Sequence, residues 1–388
     1  MTGDLGGATP TWAIVAGGGT AGHVLPGLAV ARELVRRGRD ASSILFVGAE
    51  RGIESRLVPE AGFEVELLPG RGIERRLSVQ NVVALWGLTT ALWRAVRLVH
   101  RRRPAVVLAL GGFASAACAL AALLWRVPLV VAEQNARAGA ANRLVARLAR
   151  ACAVPFDETD LPKAVVTGNP VRDEVLAVAA DRDVLAARSE LGLPEDRTVV
   201  VVFAGSLGSR RINEAVYGAV GRWAHRDDLA IHHVIGTRDW EDRPAVARDL
   251  DEARAGPDGP AVGLVYQPIR YQDRMDLVLG AADLAVCRAG GTTVAELAVV
   301  GVPAVLVPLP IATRDHQTAN AGPLVRSGAA VLIPDGELDV DRLVAEVEAL
   351  VGDPSRLADM AVAARGLGRP DAAGAVADLV ESTARRPS

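Results

Sequence analysis

Short runs of β-branched and other apolar residues alternate along the chain with longer stretches whose apolar positions recur every three to four residues. The short runs predict strands over 12–16, 43–47, 63–67, 105–110, 128–132 and 151–154. A further short strand falls just before Gly168-Asn169-Pro170, a natural linker. Uninterrupted strand–helix alternation predicts an α/β fold, a doubly wound parallel sheet covered on both faces. The scheme restarts at Thr198: "TVVVVFAGSLGSRRINEAV" reads as strand, glycine turn and helix, much like the opening "AIVAGGGTAGHVLPGLAVARELVRRG". Strands follow at 231–235, 262–265, 283–287, 304–307 and 330–333, and "GRPDAAGAVADLVESTARR" reads as a closing helix. The pattern therefore predicts two similar units, each opening on a glycine turn, and 388 residues suit two domains.

One apolar stretch tests that picture. Pro104 to Trp125 carries no charge over 22 residues, long enough to span a bilayer. Its local pattern breaks into a strand (105–110), a Gly-Gly turn (111–115) and a helix (116–125), followed by the strand "VPLVVA", which fits a buried β-loop-α-β unit better. A net charge of -3 argues against a general nucleic-acid binder. Cys118, Cys152 and Cys287 are odd in number and lack C-x-x-C spacing, which argues against a disulfide framework or a zinc site and for a reducing compartment. The N-terminus has no basic region followed by an apolar run, so no signal peptide is visible.

The first turn, Gly17-x-Gly19-x-x-Gly22, has the spacing of a dinucleotide-binding loop, where backbone N–H groups and a helix N-terminus face an anion. A nicotinamide enzyme also needs a carboxylate about 20 residues on for the ribose. The nearest, Glu50, stands late, 28 residues beyond Gly22. His23 directly follows the turn and is suited to accept a proton from a hydroxyl nucleophile; a structural role bonding the loop backbone is the alternative. In "RAGGTTVAELAVVGVP" a helix is expected from Thr292 or Thr293, with Glu296 in its first turn. Thr293-x-x-Glu296 reads equally as a capping box or as a carboxylate for ribose hydroxyls beside a diphosphate at the helix end.

Asp315, His316, Gln317 and Asn320 follow the next strand and suit either sugar hydroxyls or capping of the next helix, with Asp315 bonding forward to the backbone. Glu133, Gln134 and Asn135 end a strand and suit either a substrate cleft or a buried network that fixes their loop. "AGSLG" around Ser206 is not a nucleophile elbow. His232 and His233 point to opposite faces of one strand, and Asp339 reads as a helix N-cap. With no convincing metal cluster, helix ends and an arginine, Arg172 the candidate, would have to neutralise a diphosphate.

Gly18-Gly19-Thr20-Ala21-Gly22-His23, Glu133-Gln134-Asn135, Gly168-Asn169-Pro170-Val171-Arg172, Gly291–Glu296 and Asp315-His316-Gln317-x-x-Asn320 occur in this order. Together, over nearly the whole chain, they closely resemble the MurG family of peptidoglycan glycosyltransferases. The resemblance implies the GT-B fold, two Rossmann-like domains facing a central cleft: 1–168 on the acceptor and membrane side, 169–367 for the UDP-sugar, and 368–388 as a helix crossing back. It implies inverting, metal-independent transfer of N-acetylglucosamine from UDP-N-acetylglucosamine to the 4-hydroxyl of undecaprenyl-diphospho-muramyl-pentapeptide, with no cofactor. By position it gives Thr20, Ala21, Gly22, Asn135, Arg172, Ser206, Ile269 (backbone, to uracil), Gly291, Thr292, Thr293, Val294, Ala295, Glu296 (ribose) and Gln317 (sugar) to the donor. Gly18, Gly19, Gly111 and Gly112 fall to the acceptor diphosphate, and His23 or Glu133 to the base. Departures from the family pattern are Ala21 for glycine, Leu207 for glutamine and Ala132 for histidine.

The resemblance also implies a place on the cytoplasmic face of the bacterial plasma membrane, with cell-wall assembly proteins as partners. Arg71–Pro104 mixes Val82, Leu85, Trp86 and Trp93 with eight arginines against Glu74 alone, a net +7 that suits an anionic lipid surface. A helix burying one face on the sheet and wetting its arginines is the alternative. Other enzymes of the same architecture, a natural-product glycosyltransferase or a UDP-N-acetylglucosamine 2-epimerase, are the rival readings, and an NAD-dependent oxidoreductase or a non-catalytic sugar-nucleotide sensor stands further off.

Overall fold

The computed structural model describes residues 10–50, 52–69, 79–245, 249 and 263–385, the side chains of 79–88 excepted. The chain divides into two compact units, Met1–Arg172 with Arg369–Ser388, and Asp173–Gly368.

In the first unit seven parallel strands lie in the order β3-β2-β1-β4-β5-β6-β7. They are β1 (Ala13–Gly17), β2 (Ile44–Ala49), β3 (Glu64–Leu68), β4 (Val106–Gly111), β5 (Leu129–Ala132), β6 (Ala151–Val154) and β7 (Ala164–Val166). Helices α1 (Ala21–Arg36), α2 (Glu54–Glu60), α3 (Val79–Arg102), α4 (Gly112–Leu124) and α5 (Ala140–Ala146) connect them. Both faces of the sheet are covered. One set of strand side chains packs with α3, α4 and α5, and the opposite set packs with α1, α2 and the closing helix. That explains why the strands read as continuous apolar runs. α3 turns Ala91, Ala95, Leu98 and Val99 inward at helical spacing, while Trp93 stays 61% exposed with the Arg97 guanidinium over its ring. The side chains of Val82, Leu85 and Trp86 lie outside the described residues.

The second unit has six parallel strands in the order β10-β9-β8-β11-β12-β13. These are β8 (Thr198–Phe203), β9 (Leu229–Val234), β10 (Val265–Ile269), β11 (Leu284–Cys287), β12 (Ala304–Leu306) and β13 (Ala330–Leu332). Its helices are α6 (Asp173–Ala180), α7 (Val184–Leu191), α8 (Arg210–Arg222), α9 (Met275–Ala281), α10 (Gly291–Val300), α11 (His316–Arg326), α12 (Val340–Val351) and α13 (Pro354–Leu367). The closing helix α14 (Ala372–Thr383) packs on α1 in the first unit, where Arg37 pairs with Asp378 and Glu381.

Two predicted elements are corrected. No turn spans 111–115: β4 runs to Gly111 and α4 starts at Gly112, because two left-handed glycines (φ 109° and 84°) reverse the chain in one step. The strand expected at 262–265 is instead β10, 265–269. Pro268 inside it argues against a strand, yet β10 is an edge strand, where a missing N–H is tolerated. The other strands whose limits were predicted start and end within two residues of them. Among the described residues no helix is long and apolar enough to cross a membrane, and the uncharged 104–125 stretch is β4 plus the 13-residue α4. All three cysteines are buried thiols.

Candidate active site

In the first sheet β1 feeds β2 on one side, while β4 feeds β5 on the other. The loops leaving their carboxyl ends part, and open α/β sheets bind ligands at such switch points. The two loops here are the first glycine turn and Gly111–Gly112. They touch through backbone: a Cβ on Gly112 would lie 2.8 Å from the Gly18 carbonyl oxygen. Thr20 begins α1 without capping it by its side chain, so the helix end faces this point with its own amides.

His23 lies in the first turn of α1. Its Nδ1 is 3.3 Å from the Gly18 carbonyl oxygen and 3.3 Å from Thr20 Oγ1. A carbonyl only accepts, so a neutral ring bonded to Gly18 would carry its proton on Nδ1 and its lone pair on Nε2. Nε2 faces Gly111, where an added Cβ would sit 3.0 Å away. Gly18, Gly19, Thr20, His23, Gly111 and Gly112 are thus brought together. Behind the turn stands Glu54, buried, which accepts the Gly19 N–H at 3.2 and 3.1 Å and the Ala49 N–H at 2.6 Å.

Glu133 is also buried. Its Oε1 accepts from the Gln134 N–H, the Asn135 N–H and Asn135 Nδ2, each at 3.1 Å. Its Oε2 accepts from the Gly139 N–H (3.0 Å) and Asn142 Nδ2 (2.9 Å). The carboxylate therefore organises the loop after β5, and the buried-network reading describes what is seen. Arg172, half-buried, is the last residue of the first unit.

The second sheet repeats the switch, between β8 and β11. The turn Ala204–Gly208 leaves β8, and the Ser206 carbonyl accepts the Thr237 N–H and Oγ1 at 3.3 Å each. Gly208 admits no side chain, since a Cβ would lie 1.9 Å from the Ile235 carbonyl oxygen. After β11, α10 starts at Gly291 with Gly290 as N-cap and no side-chain cap. The capping box is corrected accordingly: Thr293 is the helix's third residue and Glu296 its sixth, one turn too late to close that end. Thr292, Thr293, Ala295 and Glu296 are half-buried, while Gly291 and Val294 are buried.

Arg288 ties these loops together. It donates to the Val307 and Pro308 carbonyls (3.0 Å each) and to Ser209 Oγ (2.6 Å), and pairs with Asp335 at 2.6 Å. Of the polar cluster after β12, Asn320 is fully buried and donates to the Ala289 carbonyl at 3.0 Å. It braces the loop before α10. Gln317 Oε1 accepts the Leu309 N–H at 2.9 Å, and His316 Nδ1 lies 3.1 Å from the Thr313 carbonyl. Asp315 begins α11 in the left-handed region (φ 53°), so its carboxylate accepts from Thr318 Oγ1 (2.7 Å) rather than from the backbone. Ile269 ends β10, its carbonyl accepting the Ile235 N–H at 2.9 Å.

Sequence reasoning missed Asn142, and also Glu54, Asn213 and Arg288, which have partners 19 or more residues away along the chain. For Glu54 the one signal was a pair of flanking glycines, Gly48 and Gly52. Asp339 does cap α12, accepting the Arg342 N–H at 2.8 Å. The two histidines of β9 point to opposite faces: His232 Nδ1 meets Gln267 Oε1 at 2.8 Å, and His233 bonds Tyr266 OH and Asn213 Oδ1 at 3.0 Å each. Among the described residues no group of three or more His, Cys, Asp or Glu side chains is arranged to hold a metal ion.

Burial, aided by His232, pushes the His233 pKa down to about 3. In the unfolded chain histidine takes up a proton near pH 6.5. Between about pH 6.5 and 3 the unfolded state therefore binds the extra proton, and stability falls on acidification by up to about 1.4 kcal/mol per pH unit. Urea unfolding from pH 7 to 4 is expected to show this slope, and His233→Gln to flatten it; an unchanged slope in the variant would contradict a neutral buried imidazole.

Residues 13–154 match the model of the glycosyltransferase family 28 N-terminal domain, and 199–376 that of its C-terminal domain. The chain is 41% identical over 374 residues to the UDP-N-acetylglucosamine--N-acetylmuramyl-(pentapeptide) pyrophosphoryl-undecaprenol N-acetylglucosamine transferase of Alkalilimnicola ehrlichii, covering 96% of this chain and 99% of that one. The crystal structure of Acinetobacter baumannii MurG superposes with a TM-score of 0.72 at 28% identity, over 96% of this chain and 100% of that one. A UDP-GlcNAc 2-epimerase from Neisseria meningitidis, bound to UDP-GlcNAc, shares the fold at 14% identity, with a TM-score of 0.63 over 96% of this chain and 99% of that one. Two parallel-sheet units, each with a glycine turn at its switch point, are the GT-B arrangement, and the chain belongs to glycosyltransferase family 28, as a member of the MurG family.

Proposed function

We propose that the chain transfers N-acetylglucosamine from UDP-N-acetylglucosamine to the 4-hydroxyl of polyprenyl-diphosphate-linked muramyl-pentapeptide, with inversion and without a metal ion, in peptidoglycan synthesis. The observation that carries this reading is one anion-ready helix end in each unit, that of α1 beside His23 and that of α10 followed by Glu296. A glycosyl transfer needs both a base for the incoming hydroxyl and a counter-charge for departing UDP.

The second unit takes the donor. The α10 end and the Ser206 turn receive the diphosphate, Glu296 the ribose hydroxyls, the Ile269 backbone the uracil, and Gln317 the sugar. The family resemblance gives Thr20, Ala21, Gly22, Asn135 and Arg172 to the donor as well. The acceptor diphosphate falls to the Gly18–Gly19 turn and Gly111–Gly112. Since the Gly19 N–H already donates to Glu54, the amides opening α1 do most of that binding. His23 Nε2 takes the proton of the acceptor hydroxyl. We assign the base to His23 rather than Glu133 because both oxygens of Glu133 are held by five hydrogen bonds.

A lipid-linked acceptor calls for a membrane-facing surface. α4 packs against both α3 and α5, and these three helices or their ends expose Trp93, Leu120, Leu124, Trp125, Leu144 and Leu148. Arg97, Arg143 and Arg147 lie among them. Apolar side chains interspersed with arginines support peripheral contact with anionic lipid at the cytoplasmic face.

UDP release from UDP-N-acetylglucosamine in EDTA is expected only when a solubilised lipid-linked muramyl-pentapeptide is added, with a disaccharide product. His23→Ala should lower kcat by about 10²–10⁴-fold with little change in the donor KM. A folded protein that binds UDP yet releases none with this acceptor would contradict the assignment, and epimerised sugar would favour the 2-epimerase reading. Leu144→Glu/Leu148→Glu should weaken sedimentation with phosphatidylglycerol vesicles; unchanged sedimentation would move the membrane contact elsewhere.

A further inference from the structure

One peptide unit in the first turn stands between two functional side chains. The N–H of the Gly18–Gly19 peptide donates to Glu54, 3.2 Å to Oε1 and 3.1 Å to Oε2. The carbonyl of the same peptide lies 3.3 Å from His23 Nδ1. A trans peptide directs its N–H and C=O to opposite edges of one plane, so Glu54 and His23 grip the same unit from opposite sides. Glu54 is only 1% exposed, and Oε1 is further fixed by the Ala49 N–H at 2.6 Å. Three glycines enclose the Glu54 side chain: a Cβ on Gly18, Gly48 or Gly52 would come within 2.0, 2.2 or 2.1 Å of it. Any side chain at those positions would push Glu54 off the turn.

We infer that Glu54 is a positioning residue that sets the tautomer and basicity of His23 through the Gly18–Gly19 peptide. A carboxylate on the N–H polarises the amide, and a polarised carbonyl is a better acceptor for the Nδ1 proton. That proton is thereby held on Nδ1, the lone pair stays on Nε2, and the imidazolium formed during transfer is stabilised. The proton balance is simple. The acceptor hydroxyl's proton moves to Nε2 as its oxygen bonds the anomeric carbon and the bond from that carbon to the UDP oxygen breaks, UDP leaving with the electron pair; Nδ1 keeps its own proton, and Glu54 exchanges none. Thr20 Oγ1, 3.3 Å from Nδ1, is a second partner of that nitrogen.

Among the described residues, the elements packed on α1 carry the following charges. β1 and β4 carry none. α2 brings Glu54, with Arg56 paired to Glu60 on its exposed side. α14 meets the far end of α1, where Asp378 and Glu381 pair with Arg37 and Arg39. Glu133 acts at one remove, through Asn142, whose Nδ2 would lie 3.4 Å from a Cβ on Gly111.

This inference rests on His23 being the general base, and the test separates the two. The full chain, labelled with ¹⁵N-histidine, is titrated by long-range ¹H–¹⁵N correlation as wild type and as Glu54→Gln, which keeps the side chain's shape. The wild type is expected to show a neutral Nδ1–H tautomer for His23. In Glu54→Gln the His23 pKa should fall by about half a unit and the Nε2–H tautomer should appear. In turnover kcat should drop about tenfold, its acid limb shifting with the pKa, while the donor KM stays within about twofold. An Nε2–H tautomer in the wild type overturns the inference and needs no variant to fold. A folded Glu54→Gln protein with unmoved tautomer and pKa overturns it as well. If tautomer and pKa move while His23→Ala retains full activity, the coupling stands and the base assignment fails.

Discussion

A parallel sheet cannot satisfy the backbone at its carboxyl edge where two neighbouring strands send their chains in opposite directions. At β1/β4 and again at β8/β11 this leaves helix ends whose first N–H groups have no partner within the helix. Neither α1 nor α10 closes its end with a side chain. By contrast Ser209, Asp339 and Asp353 do cap α8, α12 and α13, in the same unit as α10. Other ends, such as those of α5 and α11, also lack a side-chain cap, but those of α1 and α10 fall at the switch points, and the proposed diphosphate sites rest on that placement.

Holding such ends open requires buried polar groups elsewhere, and the two units solve this differently. The first uses carboxylates, Glu54 under the glycine turn and Glu133 in the loop after β5, each met by backbone N–H groups. The second uses a guanidinium, with Arg288 bonded to two carbonyls, Ser209 and Asp335. Asn320 and Gln317 add short braces to the same loops. Removing one member of such a network leaves another buried polar group unpaired, at a cost of about 1–3 kcal/mol. These residues therefore fix where the side chains of the proposed site stand, whether or not they touch substrate themselves.

Much of this was legible in the order of residues, because strands buried on both faces and glycine turns leave strong local patterns. The two-unit architecture, the closing helix and the positions of His23, Gly111 and Glu296 beside the turns followed from short windows. What escaped depends on distance or on edge position. Pro268 disguised β10 because sequence does not reveal that the strand lies at an edge. The start of α10 was misplaced because Thr293 and Glu296 imitate a capping box that the Gly290–Gly291 start leaves one turn too late. Glu54 was invisible because its partner, Gly19, is 35 residues away and only the folded sheet brings α2 beneath the first turn. The polar cluster after β12 offers sugar recognition or helix capping from sequence alone, whereas burial makes Asn320 a brace and leaves Asp315 on the surface.

The division of labour between the two helix ends is open to direct measurement by hydrogen–deuterium exchange of the intact chain with and without saturating UDP. Amides of 204–209 and 288–296 are expected to gain more protection than those of 17–23 while no acceptor is present. Protection at 17–23 with none at 288–296 would contradict the account, since the first glycine turn would then hold the nucleotide.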